Sequence, residues 1–202
     1  PPHPAGLFAV PVEAVAPLVA GFGGDLPTAV GPLEVTAEVT RLLGAPKRVV
    51  SERLYRLGTL TAPDVAGRGR PCVPGDFPLL VSWYHAFGEE VGMGEGDEVE
   101  RVARRLAGRE LFVWEAGGAP VAMAALSPAC GGVCRIGPVY TPPSRRRRGY
   151  GAAVTAYASR TGRDERGAEV VLFADLGNPT SNAIYQAIGY EPVGDYAHVT
   201  YA

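Results

Sequence analysis

Lysine is nearly absent from this chain: of its 19 basic residues, all but Lys47 are arginine. Cysteine is scarce and odd in number, with Cys72, Cys130 and Cys134. An odd count argues against a disulfide framework and fits a reducing compartment, so a cytoplasmic location is expected. Cys130 and Cys134 have three residues between them rather than two, and the histidines His3, His85 and His198 are scattered. No metal is expected on such a set; small buried or loop cysteines are the plainer reading. No run of about 18 apolar residues occurs, which argues against a transmembrane helix, and no signal-peptide pattern opens the chain. The chain begins Pro1-Pro2 without a methionine, so its natural start is expected to lie upstream. Nor is one sign of charge in surplus: the formal net charge is −2, which disfavours a general nucleic-acid or membrane surface.

What is present is apolar material and a regular alternation of elements. The chain has 202 residues, 47% of them hydrophobic, enough for one sizeable core or two small ones. Leu7 to Val10 reads as a short strand and Val12 to Ala20 as a helix weakened by Pro17. Gly21 to Pro27 is a loop, Thr28-Ala29-Val30 a strand, and Leu33 to Leu43 a helix with Gly44 as its stop. Arg48 to Leu60 reads as a strand, giving an α/β pattern. A segment rich in Gly and Pro, residues 63–74, is the expected linker, with a possible short strand at Cys72-Val73. Helices are expected over Asp76 to Phe87 and Asp97 to Leu106, with Gly92, Gly94 and Gly96 marking a plain loop between them. Glu110 to Glu115 and Pro120 to Leu126 read as a hairpin around Ala116-Gly117-Gly118. Then follow a strand over Cys134 to Thr141, a helix over Gly149 to Ser159, a buried strand over Val170 to Ala174, a helix over Pro179 to Ile188, and a last strand over Val193 to Tyr201.

One segment carries distinctive chemistry. The strand ending at Thr141 feeds through Pro142-Pro143-Ser144 into Arg145-Arg146-Arg147-Arg148-Gly149-Tyr150-Gly151 and then a helix. A loop that opens a helix points several backbone N–H groups outward, with the positive end of the helix dipole behind them. Gly149 and Gly151 allow close approach of a phosphate, and Arg146 and Arg148 can add charge-assisted bonds. The site suits a diphosphate. Read alone, the arginine run is also compatible with a solvated basic turn or a local nucleic-acid patch.

Arg146-x-x-Gly149-x-Gly151 resembles the Q/R-x-x-G-x-G/A loop of the GCN5-related N-acetyltransferase (GNAT) superfamily. Downstream, Leu172-Phe173-Ala174-Asp175-Leu176-Gly177-Asn178-Pro179-Thr180-Ser181-Asn182-Ala183-Ile184-Tyr185-Gln186-Ala187-Ile188-Gly189-Tyr190 is similar to the FR47-like branch. The two motifs anchor roughly residues 72–202. The resemblance implies transfer of an acetyl group from acetyl-CoA, as co-substrate and without a metal, to a primary amine by direct attack. It implies that Arg146, Arg147, Arg148, Gly149, Tyr150, Gly151 and Ala152 hold the diphosphate, and that the backbone of Val139, Tyr140 and Thr141 holds the pantetheine arm. A backbone N–H near Tyr140 would stabilise the oxyanion. It implies that Asn178 contacts the cofactor and that Tyr185, seven residues on, protonates the leaving thiolate. Independently of the resemblance, Asn178 can cap the following helix and Pro179 suits its first turn, and Tyr185 is compatible with simple packing between helix and sheet.

The chain departs from the family pattern at two places. Many members have glycine after the first arginine of the loop, where this chain has Arg147. Several have a glutamate as general base five residues before the matching asparagine, where this chain has Phe173. Glu115 and Asp175, each near a strand end, are the candidate bases; a solvated amine or a water chain is the alternative, and Asp175 equally suits a cap on the loop around Asn178.

The first half weakly echoes the second: Val30-Gly31-Pro32, a helix and Val49-Val50 mirror Ile136-Gly137-Pro138, a helix and Val170-Val171. The expectation is a mixed central sheet of GNAT type in the C-terminal half, packed with a degenerate GNAT-like α/β half. The domains would be 1–62, a linker at 63–74, and an acetyltransferase domain at 75–202. The partner would be a small-molecule or peptide amine, with no nucleic acid and no membrane, the protein being a monomer or homodimer. Other readings are an acyl-CoA-binding regulatory protein without turnover and an N-acyltransferase using longer acyl chains.

Overall fold

A computed structural model describes residues 5–7, 9–23, 26–92 and 96–201. In chain order the elements are β1 (Ala5–Gly6), α1 (Val15–Gly21), β2 (Thr28–Pro32), α2 (Leu33–Leu43), β3 (Arg48–Leu57), β4 (Arg68–Pro71), α3 (Phe77–Val91), α4 (Glu98–Ala107), β5 (Leu111–Ala116), β6 (Ala119–Leu126), β7 (Val133–Tyr140), α5 (Tyr150–Arg160), β8 (Glu169–Asp175), α6 (Pro179–Ala187) and β9 (Tyr190–Thr200). Single 3-10 turns precede α1, α3 and α5, and a π-helical turn over Thr161–Glu165 extends α5. The chain is α/β with mixed strand pairing, the class expected from its pattern.

The chain divides into two compact units. The first holds residues up to Tyr55, Phe173–Ala183 and those from Pro192 on; the second holds Arg56–Leu172 and Ile184–Glu191. The crossings fall inside β3, β8, α6 and β9, so these units do not follow a single cut of the sequence near residues 62–75.

In the first unit β1 runs parallel to β2, and β2 pairs antiparallel with β9 from Thr28↔Thr200 to Pro32↔Tyr196. The strand at the start of the chain is Ala5–Gly6, not Leu7–Val10: Leu7 follows the strand and donates its N–H to Val30, and Phe8 lies outside the described residues. The helix over Leu33–Leu43 stands as its apolar spacing predicts. Val35 and Val39, four apart, are buried with Val15 and Val19 of α1 and Ala197 and Val199 of β9. Pro17 is accommodated because it falls in the first turn of α1, where an N–H has no helical acceptor to meet.

In the second unit the strand order is β8-β7-β6-β5-β4. Strand β6 is its centre and is buried from Val121 to Leu126. Its alternation sorts two cores. Met123 and Ala125 face Leu80, Trp83 and Val102 of α3 and α4. On the other face, where Phe112 meets Tyr157 edge-on at 5.8 Å, the small side chains of Ala122 and Ala124 leave room for α5. Strand β4 spans Arg68–Pro71 rather than Cys72-Val73; it forms by pairing with β5, and the Cys72 N–H still bonds Leu111. Helix α3 runs to Val91, a turn beyond the expected Phe87, and α4 begins at Glu98 under the Asp97 carboxylate, which accepts from Glu100 N at 2.8 Å. Gly94, in the expected loop between these helices, lies outside the described residues, as does His3. No described helix is long and apolar enough to cross a membrane.

Candidate active site

The candidate site is built where β7 gives way to α5. The parallel ladder of β7 with β8 runs from Val133↔Glu169 to Ile136↔Leu172. Two residues on comes Pro138, which has no N–H to give to any neighbour. On its other side β7 stays paired to β6 up to Tyr140, which lies opposite Met123.

Beyond Tyr140 the chain makes a 3-10 turn over Pro143–Arg145 and then two left-handed steps, Arg147 at φ 59° and Gly149 at φ 76°. Gly149 is the residue before α5, and the first bond of the helix is Ala153 N to Gly149 O at 2.9 Å. The N–H groups of Tyr150, Gly151 and Ala152 precede that bond, so the helix itself offers them no acceptor, and the positive end of the dipole lies there. A side chain at Gly149 would meet both a disfavoured φ and the Val65 side chain, its Cβ 2.7 Å from Val65 Cγ2. Arg147 occupies the conformation that explains why glycine suits this position; its side chain is exposed. Among the described residues, Arg145, Arg147 and Arg148 make no side-chain hydrogen bond or ion pair.

Arg146 is different. Its Nε donates to the Thr141 carbonyl at 2.8 Å, and its Nη2 meets both Glu90 carboxylate oxygens at 2.6 Å. Its guanidinium carbon lies 5.8 Å from the centre of the Tyr140 ring. Glu90, near the end of α3, was not identifiable from the sequence, where nothing links it to a residue 56 positions away.

Tyr185, also in the second unit, lies on α6 with its ring edge-on to Tyr190 at 6.1 Å. The residue is half-buried, and that burial pushes the hydroxyl up to about 12. Tyr190 in turn shares a 2.7 Å hydrogen bond with Ser159 of α5.

Both candidate bases are engaged. Glu115 sits opposite Arg68 in the β4–β5 ladder, takes a 3.0 Å ion pair from it, and has Arg70 Nε at 3.5 Å. Asp175, in the first unit, accepts from Gly177 N at 2.7 Å, the local turn its sequence position allowed. In the same unit Asn178 caps α6 by accepting from Ser181 N at 3.0 Å, and Asn182 donates to the carbonyls of Asp175 and Asn178, both at 2.8 Å. Tyr55 donates to Asn182 at 2.8 Å and so ties β3 to this turn. Phe173 packs edge-on against Tyr196 at 5.5 Å. All three cysteines are free, Cys134 being buried and Cys130 exposed. No cluster of three or more His, Cys, Asp or Glu side chains suited to a metal occurs among the described residues.

The helix start that follows β7 in this mixed α/β sheet suits an anion, and comparison with known proteins identifies the family. The family model described as Acetyltransferase (GNAT) family matches residues 78–190, more than half the chain. The chain belongs to the GNAT acetyltransferase family. No curated protein matches it. Among solved structures, an acetyltransferase of the GNAT family from Colwellia psychrerythraea aligns with a TM-score of 0.70 at 12% identity, over 95% of this chain and 72% of that one. A GCN5-related N-acetyltransferase from Kribbella flavida aligns with a TM-score of 0.62 at 22% identity, over 94% of this chain and 74% of that one. A GNAT-family protein from Novosphingobium aromaticivorans aligns with a TM-score of 0.59 at 17% identity, over 77% of this chain and 65% of that one, so the chain spans slightly less than two thirds of its length. At such identities the likeness is one of fold. The family match does not reach the finer FR47-like branch.

Proposed function

We propose that this chain moves an acetyl group from acetyl-CoA to a primary amine of a small molecule or peptide. The observation that carries the reading is the start of α5: three N–H groups ahead of the first helical bond, a bare left-handed Gly149 before them, and Arg147 and Arg148 without an anionic partner among the described residues. That donor set fits a diphosphate. Acetyl-CoA supplies an activated thioester carbonyl; the chain's residues do the rest. Val139, Tyr140 and Thr141 offer backbone groups to the pantetheine arm, and an N–H near Tyr140 stabilises the developing oxyanion. The neutral amine attacks the carbonyl directly, the C–S bond breaks, and the proton of the attacking nitrogen passes to water. Tyr185 keeps its proton throughout the neutral range, because burial disfavours the phenolate, and gives it to the departing sulfur. The decisive experiment is release of free coenzyme A across a panel of amines and peptides. Absence of any heat when acetyl-CoA is titrated calorimetrically to millimolar levels would sink the reading.

A second reading has its own observation. Glu115 is held between Arg68 and Arg70, and Asp175 is turned into its own loop, so neither carboxylate is free to take the amine's proton. An acyl-CoA-binding regulator without turnover would show heat of binding and no coenzyme A release with any acceptor.

A further inference from the structure

Arg146 holds the signature position of the loop, yet its guanidinium is already engaged. Nε is bonded to the Thr141 carbonyl at 2.8 Å, Nη2 to both oxygens of Glu90 at 2.6 Å, and the cation lies over the Tyr140 ring at 5.8 Å. Glu90 neutralises the charge that a phosphate would need. Burial first, then the nearby Glu90 and Glu89 carboxylates, favour the neutral form of Tyr140 against the pull of Arg146, so an incoming anion would meet carboxylates on this side. To bind phosphate through Nη2, Arg146 would first have to leave two short charge-assisted bonds. Arg147 and Arg148 carry no such commitment among the described residues.

We propose that Arg146 is a positioning residue: locked by Glu90, it fastens the end of β7 at Thr141 to the loop that opens α5, and leaves the diphosphate to the N–H groups of Tyr150–Ala152 and to Arg147 and Arg148. The lock spans three elements of the second unit, α3 through Glu90, β7 through Thr141, and the loop itself. It sets the spacing between the segment proposed to hold the thioester and the segment proposed to hold the diphosphate. The naming of the ligand rests on the acetyl-CoA reading; the lock itself is a property of the free protein.

The test is amide hydrogen exchange over residues 141–149 in ligand-free protein, with acetyl-CoA affinity measured on the same variants. Arg146→Ala and Glu90→Ala each speed exchange there by about threefold, the loss of an exposed ion pair, and the double variant adds little. Arg146→Lys behaves like Arg146→Ala, because an ammonium cannot bridge a carbonyl and a carboxylate with a planar fork. Acetyl-CoA affinity falls by a similar factor in Arg146→Ala and Glu90→Ala, and falls separately and additively in Arg148→Ala. The proposal is overturned if Glu90→Ala leaves exchange unchanged. It is also overturned if Glu90→Ala tightens acetyl-CoA while Arg146→Ala weakens it, since Glu90 would then be a competitor for a phosphate ligand. Retention of wild-type affinity by Arg146→Lys overturns it as well. A wild-type protein that fails to bind acetyl-CoA defeats the functional reading alone, and the exchange data still decide the lock.

Discussion

The hydroxyls of Ser159 and Tyr190 meet at 2.7 Å, both side chains buried. Ser159 spends its one proton on the Thr155 carbonyl, also at 2.7 Å, so Tyr190 is the donor in the pair. Tyr185 rests edge-on against Tyr190, and the pair therefore sets the platform on which the proposed acid is held. Ser159→Ala strands the Tyr190 hydroxyl and is expected to lower stability by about 1–3 kcal/mol, the cost of an unsatisfied buried donor. Tyr190→Phe in the Ser159→Ala background recovers part of that loss. Urea denaturation of the two single variants and the double variant checks this; strictly additive effects would show that the pair is not coupled.

Replacement of Tyr185 tests its chemistry. Tyr185→Phe keeps the ring that packs on Tyr190 and removes the proton, so kcat is expected to fall by about 100-fold with the KM for acetyl-CoA little changed. An unchanged kcat would remove Tyr185 from the mechanism and leave it a packing residue.

Alkaline stability follows from the same burial. Tyr84 and Tyr185 are both pushed up to about 12, and Tyr190 is raised as well, each chiefly because burial disfavours the phenolate. An unfolded tyrosine ionises near about 10. Below that pH native and unfolded chains hold the same protons and the contribution is complete. Above it the unfolded chain releases protons that the native state keeps, so stability falls as pH rises through the native values. Tyrosinate absorbance is expected to rise in two stages, the buried group appearing only with unfolding. A single smooth titration of all nine tyrosines near pH about 10 would contradict it.

The loop offers a paired prediction. Gly149→Ala puts a Cβ into a left-handed residue and 2.7 Å from Val65 Cγ2, so a loss of about 1–2 kcal/mol in loop geometry, and up to tenfold in acetyl-CoA affinity, is expected. Arg147→Gly relieves the opposite mismatch, since φ there is 59°. It is expected to leave stability within about 1 kcal/mol of wild type. Equal losses in the two variants would argue that charge at 147 matters more than backbone shape.

Local rules made much of the fold legible. Helix α2 falls on Leu33–Leu43 because Val35 and Val39 share one buried face and Gly44 ends it. The loop before α5 and the cap at Asn178 were legible for the same reason, being set by neighbours within a few residues. Strand β4 was not, because Arg68-Gly69-Arg70-Pro71 has no apolar alternation. It exists through its ladder with β5, where Gly69 lies so close to Tyr157 that a Cβ would clash. The engagement of Glu115 by Arg68 and Arg70 depends on that same long-range register. Gly189 is fixed in the same long-range way: a Cβ there would strike the Thr59 carbonyl, a closeness that sequence spacing does not encode.

The entry to α3 carries the last prediction. Asp76 is buried, takes two hydrogen bonds from Arg70 at 2.7 and 3.0 Å, and accepts a third from Val73 N at 2.8 Å. The Arg70 bonds, with help from Val73, hold its carboxyl below the usual carboxylate range against the opposing effect of burial. Asp76→Asn removes the charge and cannot accept at both oxygens. Because the Arg70 side chain remains 24% exposed and water relieves part of the loss, a cost of about 2 kcal/mol is expected rather than the larger figure for a fully sealed pair. The sign with pH is opposite to that of the tyrosines. Above the unfolded value, about 3.9, both states are ionised and the bonds contribute in full. As pH falls through the lower native value, the unfolded chain is already protonated, the native carboxylate takes up its proton last, and the stabilisation is lost. The wild-type curve of stability against pH should therefore drop more steeply below pH about 4 than that of Asp76→Asn, and the two should converge in acid. Parallel curves throughout would show that the Arg70–Asp76 contact contributes no net charge stabilisation.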